Sequence, residues 1–130
     1  MNNLPGGSDL LAIARDMLMR ELLPLAADDA KYSLLMVANA IAIASRELAM
    51  GHTAEVAALA RLDILYGTLP REITGSALRD AIAQYERRLA QDIRAGRFDA
   101  DDARQRALLE YLQENVAVRL RISNPRSLSR

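Results

Sequence analysis

The stretch "ANAIAIASREL", residues 38–48, contains the polar residues best placed for chemistry: Asn39, Arg46 and Glu47, set in an otherwise apolar run. On a helix, Arg46 lies seven residues beyond Asn39, which is about 10 Å along the axis and about 20° round it. The two therefore share a face, with Glu47 adjoining. An amide beside a guanidinium can hold a carboxylate, a phosphate or a partner's carbonyl group. The same amide can instead fix the register of packed helices through one interhelical hydrogen bond. Tyr32 lies on the same stripe. If that face is buried, the Asn39 amide must be hydrogen-bonded or the fold loses roughly 1–3 kcal/mol.

Other reactive residue types lack the spacing that chemistry needs. His52 is the single histidine, next to Gly51, and there is no cysteine, so no zinc constellation and no thiolate nucleophile can be assembled. "DADD", residues 99–102, suggests a calcium loop, but the glycine and the closing glutamate are missing, and an acidic helix start explains the cluster. Glu110 and Glu114 are four apart and read as a solvated helix face. Arg87 and Arg88 sit among Glu86 and Asp92 and also read as surface. No nucleophile-elbow sequence and no glycine-rich phosphate loop occurs. The reading is of a non-enzyme with no catalytic residue, metal or cofactor.

At the other end, "VRLRISNPRSLSR" has no acidic residue after Glu114 but carries Arg119, Arg121, Arg126 and Arg130. Such a segment either docks on an acidic partner surface or is an ordinary frayed terminus.

The elements that position these residues are helical. The chain is 51% hydrophobic but only 4% aromatic, so aliphatic side chains must build the core, which favours helices over a sheet. A chain of 130 residues fits a single domain, 1–130, with 1–7 and 124–130 expected as flexible ends. Ser8 is expected to cap a first helix carrying Leu11, Ala14, Leu18 and Leu22 and ending at Pro24. Asp28 or Asp29 opens a second, the most apolar, closed by Gly51. Thr53 opens a third, closed by Gly67. A fourth carries the seam Leu78, Ile82, Tyr85, Leu89 and Ile93 and ends at Gly96. A fifth runs from the aspartate cluster through Leu108, Leu112, Val116 and Leu120 to Asn124 and Pro125. Residues 66–76 stay open between a turn of helix and an extended loop, and form the expected hinge. The fold class is all-α, a single four-to-five-helix bundle with a central apolar second helix. Because that helix is apolar on two opposite sides, Asn39 is expected to face neighbouring helices.

Seventeen basic residues balance seventeen acidic ones, so nothing favours nucleic acid as a partner. Sixteen of the bases are Arg, which can serve bidentate recognition but also follows from codon bias. The longest apolar run falls short of the roughly 20 residues a membrane span requires, and the start lacks a signal peptide's basic region. A cytoplasmic location is expected. The amphipathic fourth helix leaves a homodimer open.

Two stretches, "ANAIAIASREL" and "VAVRLRISNPR" (116–126), together with the opening "DLLAIARDMLMRELLP", resemble a small bacterial family, domain of unknown function six-two-eight-five. The resemblance implies a helical domain often encoded beside a phosphotransferase-like kinase and an acyl-CoA dehydrogenase. It also carries an asparagine and an Arg-Glu pair, matched by Asn39, Arg46 and Glu47, and a basic stretch matched by Arg119, Asn124 and Pro125. It implies an accessory protein that binds such a partner through Arg46 and the segment Arg119 to Arg126. The alternative is a small-ligand pocket around Tyr32, Asn39 and Arg46.

Overall fold

The computed structural model describes residues 4–67 and 73–129. Helix α1 (Gly7–Met17) leads through a widened π turn (Leu18–Leu22) and a tight 3-10 turn (Leu23–Leu25) to the long helix α2 (Asp28–Tyr66). Helices α3 (Gly75–Arg94) and α4 (Ala103–Ser123) follow, and a 3-10 turn occupies Pro125–Ser129. The described residues form no strand. The protein is all-α, with α2 as the spine on which the other three helices pack.

The two helices expected on either side of Gly51 are one. Gly51 lies inside α2, where a mid-helix glycine costs roughly 0.5–1 kcal/mol relative to alanine. Packing along α2 from α1, α3 and α4 outweighs that local preference. Thr53 accordingly caps nothing, and His52 is an exposed mid-helix residue. The stop at Gly67 is real: it adopts φ +67° and its N–H bonds the Asp63 carbonyl at 2.7 Å. Gly96 also adopts a positive φ, +75°, which strains any other residue, and an added Cβ there would stand 2.8 Å from Asp99 Oδ2 and displace that carboxylate.

Helix starts differ from expectation by a residue or two. Gly6, not Ser8, precedes α1, and its N–H donates to Asp9 Oδ2 at 3.2 Å. Ala27 precedes α2, with Asp28 and Asp29 in the first turn, where carboxylates suit the positive end of the helix dipole. Asp102 caps α4 by accepting from the Gln105 N–H at 3.0 Å, which uses the last aspartate of "DADD". Pro24 has no N–H to continue the helical ladder, and the chain changes from α through π to 3-10 geometry as it approaches that residue.

Helix α4 runs antiparallel to α3 and α2: Tyr111 pairs with Glu86, Gln105 reaches the Phe98 carbonyl, and Arg46 reaches the Ile122 carbonyl. Helix α3 runs alongside the second half of α2 in the same direction, Arg79 meeting Glu55 and Asp92 meeting Tyr66. The core sits among these three helices: Leu62, Leu89, Phe98, Leu108 and Tyr111 are buried, with Ala58, Leu65, Tyr66, Ile82 and Tyr85 packed against them. The expected seam of the fourth helix holds at Leu78 and Leu89, both buried, and opens to solvent at Ile93. The expected seam of the last helix does not hold. Leu112 and Val116 are exposed, and the inward line is Leu108, Tyr111, Asn115, Val118 and Ile122. A polar asparagine and tyrosine occupy inner positions because Glu86 receives both.

The first half of α2 is covered on one side only. There α1 lies antiparallel to it, tied by Ser45 Oγ donating to the Ser8 carbonyl at 2.9 Å, with Ala38 buried. The opposite stripe faces solvent. Both Asn39 and Tyr32 are exposed, so the sequence expectation that this stripe is buried is corrected. No core helix extends that far along α2. Fusion of the two expected helices has another effect: α2 contains one stretch long and apolar enough to cross a membrane by length and composition, which the broken-helix reading had not allowed. Part of the expected hinge, residues 68–72, lies outside the described residues.

Candidate functional site

The residues singled out from sequence do not converge on one pocket. Asn39 and Glu47 are exposed on α2. Arg46 is half-buried, and its Nε donates to the Ile122 carbonyl at 2.6 Å, near the end of α4. It therefore brings the α2 and C-terminal motifs into contact while committing one of its own donors. Arg119, Arg121, Asn124 and Arg126 are all exposed. Asn124 ends α4, and its carbonyl accepts from Ser127 Oγ at 2.7 Å, so residues 125–129 turn back on themselves.

Two open grooves flank α4. The first, of about 310 Å³, lies between α3 and α4, with Ile93, Leu112 and Val116 among its apolar lining and Arg119 and Glu86 among its polar lining. On its inner wall Glu86 Oε1 accepts from Tyr111 Oη at 2.8 Å and from Asn115 Nδ2 at 3.2 Å. Burial, the hydrogen bond to Glu86 and the Glu86 charge together push the Tyr111 phenol well above its usual range, so it stays a neutral donor. The second groove, of about 380 Å³, lies between α2 and α4, with Met50, Thr53, Arg61, Val118 and Arg121 in its lining. Neither groove is lined by Tyr32, Asn39 or Arg46.

One polar cluster escaped the sequence reading. Asp92 is 4% exposed, not a surface charge. Its Oδ2 accepts from Tyr66 Oη at 2.8 Å and its Oδ1 from Arg97 Nη1 at 2.7 Å, while Arg88 approaches to 3.8 Å and lays its guanidinium 4.4 Å from the Tyr66 ring centroid. These contacts tie the end of α2 to the turn between α3 and α4. The cluster is closed by its own partners and presents no free group to a substrate. The clue in the sequence was spacing: Asp92 falls three residues after the seam position Leu89, on the same helical face.

The concave surfaces beside α4 are the two open grooves. Glu86 is occupied by two donors, Tyr111 is held neutral, and His52 stands on an exposed helix face. Among the described residues no three His, Cys, Asp or Glu side chains gather as metal ligands.

What fold and surface define is a class of small all-α protein: a long spine helix, a three-helix core around its second half, and open grooves on either side of its last helix. The chain belongs to the family described as Domain of unknown function (DUF6285), whose model matches residues 24–127, from Pro24 into the final 3-10 turn. No curated protein and no solved structure matches it.

Proposed function

We propose that this protein is a non-catalytic accessory protein whose α3–α4 groove receives an amphipathic segment of a partner. The observation that carries this reading is the groove itself. Leu112, Val116 and Ile93 stand 38%, 57% and 40% exposed in one concavity, with Arg119 among its polar lining. Apolar side chains gathered in a groove with a charged neighbour are the usual signature of a helix-docking surface. Arg126 adds an exposed positive charge further along the chain, where an acidic partner surface would meet it.

The partner class is the one the family resemblance implies, a phosphotransferase-like kinase or an acyl-CoA dehydrogenase in acyl-thioester metabolism, met in the cytoplasm. Native mass spectrometry of the purified chain mixed with each candidate partner from the same genome tests this. A stoichiometric complex that is weakened by Val116→Asp, and made less salt-sensitive by Arg119→Glu, supports the reading. Failure to bind either partner, or binding indifferent to both substitutions, overturns it.

A further inference from the structure

Asn39 lies on an exposed stripe of α2 that includes Tyr32, Leu35 and Met36, with the half-buried Ile43 continuing it. Just before α2, Leu25 projects from the end of the α1–α2 hairpin and is 84% exposed, and Tyr32 is 73% exposed. On the same face of α2, further toward its C-terminus, lies the groove of about 380 Å³ bounded by Met50, Thr53, Ala57, Arg61, Val118 and Arg121. One molecule thus carries apolar protrusions before Asn39 and an open apolar groove after it.

We infer that a second copy of this chain covers the stripe, the two α2 helices crossing antiparallel on a two-fold axis that passes beside Asn39. An isologous contact sets each residue before the axis against one equally far beyond it. Tyr32, seven residues before Asn39, meets the partner's stripe at the level of position 46, seven residues after it. Leu25 then falls at the level of Met50 and Thr53, so each copy's hairpin end enters the other's groove.

Charge supports this direction. The hairpin end carries Asp29 and Asp28, the latter 3.1 Å from Lys31, and the groove carries Arg121 together with Arg61, which lies 3.7 Å from Glu114 on the same wall. Antiparallel crossing sets Asp28 and Asp29 at the near end of the groove, level with positions 50 and 49, whereas parallel crossing would stack Arg46 on Arg46 and Asp29 on Asp29. The area is sufficient as well. Leu25, Tyr32, Leu35 and Met36, exposed by 84%, 73%, 46% and 51%, present roughly 500 Å² per copy, and the covered groove walls add to it. The sum over two copies passes the approximately 1,000 Å² that separates specific interfaces from incidental ones.

The amide in the apolar run acquires a role in this arrangement. An asparagine on the axis bonds its own counterpart, and a sliding or parallel alternative leaves it facing apolar side chains. The surface is separate from the α3–α4 groove, so the two proposals fail independently.

The test starts from sedimentation of the full chain at micromolar concentration, where a dimer is expected. The chain has no cysteine, so Asn39→Cys introduces a single thiol. Under mild oxidation it should form a disulfide between copies, because only residues whose Cα atoms approach within about 7 Å can be joined. Ile13→Cys, on the half-exposed outer side of α1, should not cross-link. Leu25→Asp and Tyr32→Glu should each weaken dimerisation by at least about tenfold while circular dichroism stays unchanged, both side chains being exposed in one copy. A monomer at all concentrations overturns the inference. So does a dimer in which position 39 does not cross-link, position 13 cross-links equally well, or the two charge substitutions have no effect.

Discussion

At the scale of single residues, the least replaceable polar group is Asp92. Its two oxygens receive Tyr66 and Arg97 from different segments, so Asp92→Ala should destabilise the protein by about 1–2 kcal/mol in urea unfolding, since both stranded donors retain partial access to water. Burial first, and the hydrogen bond to Asp92 second, raise the Tyr66 phenol from 10.0 to about 12. Because the folded value lies above the unfolded one, the stability linked to this proton is complete below about pH 10 and is lost as pH rises toward about 12. Alkaline unfolding followed by phenolate absorbance should show that loss, and Tyr66→Phe should reduce it, the remainder coming from Tyr111, whose phenol is also raised. Leu62, fully buried at the centre of the core, is the apolar counterpart: Leu62→Ala should cost about 2–5 kcal/mol by the same unfolding measurement.

At the scale of elements, Gly51 decides between two architectures. In the continuous α2 an alanine Cβ at that position meets only Glu47 Cγ at 3.9 Å, so Gly51→Ala should raise stability by about 0.5–1 kcal/mol. A glycine ending one helix in the left-handed region would give the opposite sign, and thermal denaturation distinguishes the two. This is where sequence was least informative. A glycine followed by a threonine has the local pattern of a stop and a start, and only packing from three other helices overrides it. Helices α3 and α4 were legible because their ends carry strong signals, Gly96 after one and Asp102 before the other. The inner face of α4 was not, since Tyr111 and Asn115 point inward only because α3 supplies Glu86. Asn39 was picked out by its isolation among apolar residues, yet sequence could not say that those neighbours lie open, because burial depends on how far the other helices reach. Arg46 was legible as a candidate, but its hydrogen bond to Ile122 was not, since that pairing spans 76 positions.

At the scale of the whole molecule, two faces are available, and each should be separable from the other. Val116→Asp in the α3–α4 groove should weaken partner binding with self-association intact, while Leu25→Asp should do the reverse. Sedimentation of each variant, alone and with the partner, checks both halves of that expectation. Loss of both properties in either variant would mean that the faces are coupled.

The one-sided covering of α2 implies uneven resistance to opening. Its second half is braced by the α3–α4 core, whereas residues 28–43 lean on α1 and on the turns before Asp28. Backbone amides in that first half should therefore exchange with deuterium well before those around Leu62, through opening of the hairpin without global unfolding. A helix that is uninterrupted in geometry thus behaves as two segments in time. The faster one is the segment that a bound second copy would slow.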